Sequence, residues 1–340
     1  MNIDKKITNQ FNSLLTHVRN SSNNVNCTGS SVMVIHKNKM VIEKYWGKHS
    51  KAPTARLIQE DSQFHVASVR KSYIGFAVAY AVHHGFVKSI DDEVTKYLPM
   101  KTSESLQYTS IRHLLTHTHG LMETANGTIV REFLSGENWA YRNIGVNLLT
   151  QIVKNTTGKT VAQILNEQVF HPLELNETGW HGEYNDKLVE VIRDSDRHWS
   201  SHKSEDGDKM NMYVSTRDLA YWGYIHLKQG EIKGKQLIDK ELLRLATSLQ
   251  SPKLIHDDLP QNGFLWFVKD LPAKKTEIGA LVPQGSYQIL GYTNVAVLVI
   301  PKYDTVAVRM FNSFGSPPGN DYLADIRSFG DTVMKCLGEG

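Results

Sequence analysis

The positions of the strand-like segments constrain the fold most, because they occur near both ends of the chain. Residues 30–47 read as two strands joined by a polar turn at residues 37–39. Four further runs, GFLWFVKD, GSYQILGY, NVAVLVIPKY and TVAVRMFNS, lie between residues 263 and 313. From about residue 66 to 215, apolar residues instead recur with the 3.6-residue period of helices. A single sheet assembled from both chain ends is therefore the simplest arrangement.

We predict an α+β fold in which an antiparallel sheet, built from both chain ends, is flanked by helices. Residues 1–65 and 216–340 would form this mixed domain. Residues 66–215 would form an inserted all-helical domain, with the active site at the interface between the two. The spacing of apolar residues also predicts an amphipathic helix in the first twenty residues, with Ile7 and Phe11 on its apolar face.

The segment at the N-terminus has neither the apolar stretch nor the cleavage site of a signal peptide. The longest uncharged apolar run, SYIGFAVAYAV, is too short to span a bilayer. We therefore expect a cytoplasmic protein without a membrane span, unless a leader has been removed from the natural chain.

Composition argues against several classes of partner. The chain is 40% hydrophobic and 21% charged, as is usual for globular proteins. A net charge of +3 is too small to indicate binding to nucleic acid or to an anionic membrane. Two cysteines near opposite ends and scattered histidines indicate neither a disulfide framework nor a metal site. We expect a small-molecule substrate and no cofactor or metal, and the oligomeric state stays open.

Ser68 lies three residues before Lys71, where an apolar helical stretch begins, so the two side chains share one face. Free backbone N–H groups and the positive end of the helix dipole favour an anion in a first turn. A partly desolvated lysine beside a hydroxyl can lose its proton near neutral pH and act as a base. In the alternative interpretation Ser68 only caps the helix and Lys71 is solvated, because S-x-x-K alone is frequent by chance.

Two further motifs make chance an unlikely explanation. Leu114–Leu121 reads LLTHTHGL and Tyr141–Asn143 reads YRN. Together with Ser68–Lys71, these motifs resemble the serine β-lactamase and penicillin-binding-protein family. The branch most similar contains class C β-lactamases, DD-peptidases and related esterases, and the resemblance runs from about residue 30 to 335. It implies an acyl-enzyme on Ser68, with Lys71 and Tyr141 as catalytic partners.

Tyr141 and Asn143 each have a chemical role and a structural alternative. Tyr141 could shuttle a proton if cationic neighbours depress its pKa, or it could be a packed aromatic residue. Asn143 could bridge Lys71 to a substrate amide, or it could cap a helix. Whether Lys71 or Tyr141 accepts the serine proton stays open.

The segment GYTNV, which ends at Val295, resembles the family's K-T-G or H-x-G strand motif. The resemblance implies an oxyanion hole formed by the backbone N–H groups of Ser68 and Val295. Where the family has a cation that binds the substrate carboxylate, this chain has Tyr292. Thr293 could still offer a hydroxyl to the substrate, and Arg309 could supply the missing charge if it lies nearby.

The leading hypothesis is a serine hydrolase that acts on an ester or a small amide. A β-lactamase or DD-peptidase is the alternative enzyme within the family. A catalytically silent relative that only binds a ligand is the non-enzymatic alternative. The intact set of Ser68, Lys71, Tyr141 and Asn143 argues against a silent protein. The chain has no G-x-S-x-G elbow, P-loop or H-E-x-x-H motif, which argues against other hydrolase and nucleotide-binding classes.

Overall fold

A computed structural model describes residues 1, 3–98, 104–194 and 202–338 of the 340-residue chain. The strands in these ranges are β1 Gly29–His36, β2 Lys39–Gly47, β3 Gln63–His65, β4 Leu121–Glu123, β5 Ile129–Arg131, β6 Thr178–Trp180, β7 Met212–Ser215, β8 Glu231–Ile232, β9 Lys235–Gln236, β10 Gln261–Asn262, β11 Phe267–Lys269, β12 Ser286–Gly291, β13 Val295–Ile300 and β14 Thr305–Phe311. The α-helices are α1 Asn12–Asn24, α2 Arg70–His83, α3 Ile111–Leu115, α4 Asn143–Thr157, α5 Val161–Leu165, α6 His171–Leu173, α7 Thr216–Leu227, α8 Lys240–Thr247 and α9 Tyr322–Cys336.

Seven strands form the largest sheet, in the order β10-β11-β12-β13-β14-β1-β2. Every neighbouring pair in it is antiparallel. The two ends of the chain meet where β1 pairs with β14, with Ser30 opposite Phe311 and His36 opposite Thr305. The predicted α+β fold, with an antiparallel sheet built from both chain ends, is confirmed.

The sheet separates two apolar cores, because successive residues of a strand point to opposite faces. One core is formed with α1 and α9, and the sheet contributes Val32, Val34, Ala296, Leu298, Ile300 and Ala307 to it. The other core includes α2 and α7, and the sheet contributes Met33, Ile35, Val297, Val299, Val306 and Val308 to it. Both faces of the central strands are therefore buried, which explains why these strands read as nearly continuous apolar runs.

The middle of the chain is not all-helical, contrary to the prediction. Besides α2 to α6 it contains β4 and β5, which pair with each other, and β6 and β7. Strand β7 pairs with both β3 and β6 in a second antiparallel sheet. These strands have only three or four residues, too few to show an alternating pattern in the sequence. The division into domains at residues 66 and 215 stays a prediction.

The N-terminal helix is shorter than predicted. Helix α1 begins only at Asn12, so Ile7 precedes it and its side chain is 56% exposed. Phe11, Leu14 and Val18 are fully buried against the sheet. In the described ranges, no helix combines the length and the apolar character that crossing a membrane would need.

Candidate active site

Ser68 lies in a 3₁₀ turn, Ala67–Val69, that leads directly into α2. Ala67 has a φ of 46°, in the left-handed region that a residue with a side chain rarely adopts, and such strain often accompanies functional sites. The end of β12 passes close to this turn: a Cβ atom at Gly291 would lie 2.2 Å from the Val66 carbonyl oxygen. Only a residue without a side chain permits this approach. The turn therefore holds the half-buried Ser68 between α2 and the end of the sheet.

Lys71 lies one turn further along, and its side chain is buried. Its Nζ donates a hydrogen bond to Ser68 Oγ at 3.3 Å. Burial, reinforced by the positive charge of Arg70, lowers the pKa of Lys71 well below its usual range. A neutral amine at this distance can accept the hydroxyl proton, so the predicted pair is in position for nucleophilic catalysis.

Tyr141 covers the other side of Lys71. The Lys71 Nζ lies 3.7 Å from the centroid of the Tyr141 ring, which also contacts His117 and Phe267 with centroid distances of 4.6 and 6.3 Å. The Tyr141 hydroxyl is buried and lies within hydrogen-bonding reach of the Ser68 hydroxyl. Burial raises its pKa to about 12, although the Ser68 hydroxyl and the Arg70 charge oppose this shift. The group is therefore a neutral phenol that can donate a proton, and the depressed pKa considered from the sequence is not found.

Ser68 opens into a cavity of about 600 Å³. Tyr141, Asn143 and Tyr292 also line this cavity, so it unites four of the predicted site residues. The remaining lining residues are Trp139, Met210, Phe267, Glu277, Leu290, Phe314, Tyr322 and Leu323. Among the described residues that line the cavity, none is lysine or arginine, and Glu277 is the one carboxylic acid. The site is thus a largely aromatic chamber with an acid in its wall.

Asn143 does not cap helix α4. It is the first residue of the helix, Arg142 occupies the capping position, and no side chain bonds to the free backbone N–H groups there. The Asn143 side chain is exposed to the cavity instead. This placement agrees with the substrate-binding role predicted from the sequence, which itself stays a prediction.

Residues 292–294, the middle of the GYTNV segment, form a turn, and only its two end residues belong to strands. Strand β12 ends at Gly291 and β13 begins at Val295, and Asn294 between them has a φ of 62°, a conformation that asparagine tolerates. The Thr293 side chain is fully buried, and its hydroxyl donates a hydrogen bond to the His65 carbonyl oxygen at 2.7 Å. Thr293 is therefore not available to a substrate, contrary to the prediction.

Val295 and Arg309 do not line the cavity either. The Val295 side chain is fully buried at the beginning of β13, and whether its backbone N–H serves an oxyanion stays a prediction. Arg309 is fully buried beside Phe311 and Phe329, and its guanidinium lies 2.5 Å from a carboxylate oxygen of Asp325 in α9. It therefore cannot replace the missing cation.

Comparison with known sequences agrees with this geometry. The profile of the β-lactamase family matches residues 16–329. The chain belongs to the β-lactamase family. A protein of Alkalihalophilus pseudofirmus without an assigned function is 61% identical over 338 residues, which cover 99% of each chain.

Solved structures share the fold of this β-lactamase-family protein. A penicillin-binding-protein homologue from Caulobacter crescentus has a TM-score of 0.78 at 15% identity, over 99% of this chain and 100% of that one. EstCE1, a hydrolase with promiscuous acyltransferase activity, has a TM-score of 0.73 at 18% identity, over 95% of this chain and 100% of its own. At these identities the likeness shows the fold.

Several cavity residues of this β-lactamase-family protein were not predicted. Phe267 lies within the predicted strand GFLWFVKD and Trp139 lies two residues before the YRN motif, so both had a local signal. Glu277 and Tyr322 had none, because they lie in a polar loop and at the beginning of the last helix. No group of three or more His, Cys, Asp or Glu side chains is placed to hold a metal ion within the described ranges.

Glu277 should make the stability of the protein depend on pH. Burial raises its pKa from about 4.5 to about 7, although Arg327 opposes the shift. The unfolded chain then loses the Glu277 proton at lower pH than the folded protein does. The contribution of this difference to the free energy of unfolding is therefore complete below pH 4.5 and is lost as the pH rises to about 7. Relative to wild type, Glu277→Gln should therefore gain free energy of unfolding between pH 5 and 8, by up to about 3 kcal/mol.

Urea unfolding of both proteins across this pH range measures the effect. Glu183→Gln, which removes an exposed acid outside the cavity, is the matched control and should follow the wild-type curve. Parallel curves for wild type and Glu277→Gln would contradict the prediction.

Proposed function

We propose that this protein is a serine hydrolase that forms an acyl-enzyme on Ser68 with an ester or small amide lacking a carboxylate. The observation that carries the proposal is the buried Lys71 amine, 3.3 Å from Ser68 Oγ at the wall of a cavity large enough for a small molecule. Membership of the β-lactamase family supports it, as does the shared fold with the hydrolase EstCE1.

Each group in the site has one task in the proposed reaction. Neutral Lys71 accepts the proton of Ser68 as Oγ bonds to the substrate carbonyl carbon. The phenol of Tyr141 then donates its proton to the leaving oxygen or nitrogen as that bond breaks, and the Lys71 ammonium returns a proton to Tyr141. Water repeats the attack on the acyl-enzyme with the same groups. The lowered pKa of Lys71 and the raised pKa of Tyr141 favour this division, with lysine as the base.

The oxyanion of the tetrahedral intermediate needs backbone donors. The Ser68 N–H lies in the turn before α2, where backbone N–H groups lack helical partners. The Val295 N–H stays the predicted second donor.

The lining of the cavity favours a substrate without a negative charge. A carboxylate that enters an apolar cavity loses its hydration, and this is costly unless a cation receives it. The described lining residues offer no lysine or arginine, and Glu277 would repel an anion when ionised. The β-lactamase and DD-peptidase alternatives, whose substrates carry a carboxylate, are therefore less well supported than an esterase or amidase.

We expect wild type to hydrolyse neutral p-nitrophenyl esters with a higher kcat/KM than nitrocefin or benzylpenicillin. Tyr292, which is 44% exposed and lines the cavity, stands where a cation would help an anionic substrate. Tyr292→Lys should raise kcat/KM for the two β-lactams about tenfold or more, because a hydrogen bond to a charged group contributes about 1.5–3 kcal/mol. The esters should change little.

Tyr292→Phe is the matched control for this measurement, since it removes the hydroxyl but adds no charge. It should leave the ratio of ester to β-lactam turnover unchanged. Efficient hydrolysis of β-lactams by wild type would overturn the preference for esters and amides.

A further inference from the structure

Glu277 is a carboxylic acid without a partner in the wall of the cavity that holds Ser68. The residue is only 7% exposed, and its Oε2 is buried without a hydrogen-bond partner among the described residues. Its neighbours bind backbone atoms and not the carboxyl group: Gln288 donates to the Glu277 carbonyl oxygen at 2.8 Å, and Arg327 donates to the Thr276 carbonyl oxygen at 2.9 Å. A buried carboxyl group in this situation lacks a compensating donor.

The walls around this acid are aromatic. Tyr292 packs edge-to-face against both Phe314 and Tyr322, with ring centroids 5.4 and 5.3 Å apart. Tyr141 and Phe267 are nearly parallel on another side of the cavity, with centroids 6.3 Å apart. Aromatic faces attract cations electrostatically, and the attraction strengthens when the cation is desolvated.

The electrostatic effect of Glu277 reaches these rings. Beyond the larger effect of burial, its charge raises the pKa of both Tyr141 and Tyr322. The carboxyl group and these rings line the same cavity. Lys71 does not pair with the acid, because its amino group already lies between Ser68 Oγ and the Tyr141 ring.

We infer that the cavity selects substrates that carry an ammonium group, which Glu277 pairs with while the aromatic rings surround it. This inference rests on the proposed hydrolysis at Ser68 and specifies its substrate class. An ammonium group supplies the positive charge that the described lining residues lack, and a primary ammonium group also supplies a hydrogen-bond donor. Arg327 lowers the pKa of Glu277 but forms no ion pair with it, so a neutral donor would leave the carboxylate without an ion-pair partner, and an apolar group would leave it without any partner.

Two pairs of esters of equal shape test the inference, because each pair differs only in an ammonium group. In the p-nitrophenyl esters of β-alanine and butyric acid the charge lies on the acyl side. In butyrylcholine and 3,3-dimethylbutyl butyrate it lies on the alcohol side. Wild type should favour the ammonium member of at least one pair by about tenfold in kcat/KM, which corresponds to about 1.4 kcal/mol.

Glu277→Gln should reduce this preference to about threefold or less, and because the preference is a ratio of two kcat/KM values for one variant, any general effect on turnover cancels. Glu277→Asp retains the charge and should keep part of the preference, while Glu183→Gln should keep all of it. Urea unfolding of each variant at the assay pH verifies that it is folded. A merely structural role of Glu277 would lower both members of a pair equally, which would overturn the inference.

Binding separates a failure of this inference from a failure of the proposed hydrolysis. Calorimetric titration of the Ser68→Ala protein with butyrylcholine and with its neutral counterpart measures the preference without turnover. Hydrolysis of the neutral esters without any ammonium preference would overturn the inference alone. Absence of turnover of every ester would contradict the proposed function, and stronger binding of butyrylcholine would then still support the ammonium site.

Discussion

Replacing Ser68 by alanine abolishes turnover and leaves the fold intact: this is the first result we expect. The substitution removes the nucleophile, so kcat on a neutral p-nitrophenyl ester should fall by at least about four orders of magnitude. The cost in stability should be below about 1 kcal/mol, because Val69 and not Ser68 occupies the capping position of α2 and no side chain bonds there. Ester hydrolysis and thermal unfolding measure the two effects.

Covalent labelling locates the nucleophile independently of turnover. After treatment with a fluorophosphonate, mass spectrometry should find one adduct, on Ser68. Ser72→Ala is the matched control, since Ser72 lies one turn further along α2 with its hydroxyl bonded to the Val69 carbonyl oxygen and the Trp222 indole. This variant should still be labelled, whereas an adduct on another serine would contradict the assignment.

Lys71 and Tyr141 should act as one unit and not as independent contributors. Lys71→Met and Tyr141→Phe should each lower kcat by about three orders of magnitude or more, and the double variant should be little worse than either. The physical reason is their shared neighbour: the Lys71 Nζ lies 3.3 Å from Ser68 Oγ and the Tyr141 hydroxyl interacts with the same hydroxyl, so loss of either group interrupts the same proton transfer.

A double-mutant cycle in kcat measures this coupling. Both substitutions keep most of the side-chain volume, and phenylalanine preserves the packing of the ring against His117 and Phe267. Losses that simply add would mean that one of the two residues only packs or binds, and would contradict the coupled mechanism. Single-turnover acylation of each variant would then show which residue acts on Ser68.

The spacing of residues along the chain was enough to predict much of the nucleophilic site. Ser68 and Lys71 are three residues apart, and helical geometry alone brings such side chains to one face. Tyr141 and Asn143 were assigned through their resemblance to a family, and the structure brings both to the cavity with Ser68. The long central strands were also predictable, because six to nine residues are enough to show a strand pattern and its boundaries.

Only the tertiary structure decided the role of GYTNV and the character of the cavity. The resemblance made Thr293 a substrate contact, but pairing of β12 with β13 makes the segment a hairpin turn and directs its hydroxyl to His65. Glu277 had no signal in the sequence, because its importance depends on the cavity that it lines together with rings from distant segments, including Tyr141 and Tyr322. Periodicity reports which face of an element is buried, whereas the partners that a buried group meets depend on contacts between segments far apart in the chain.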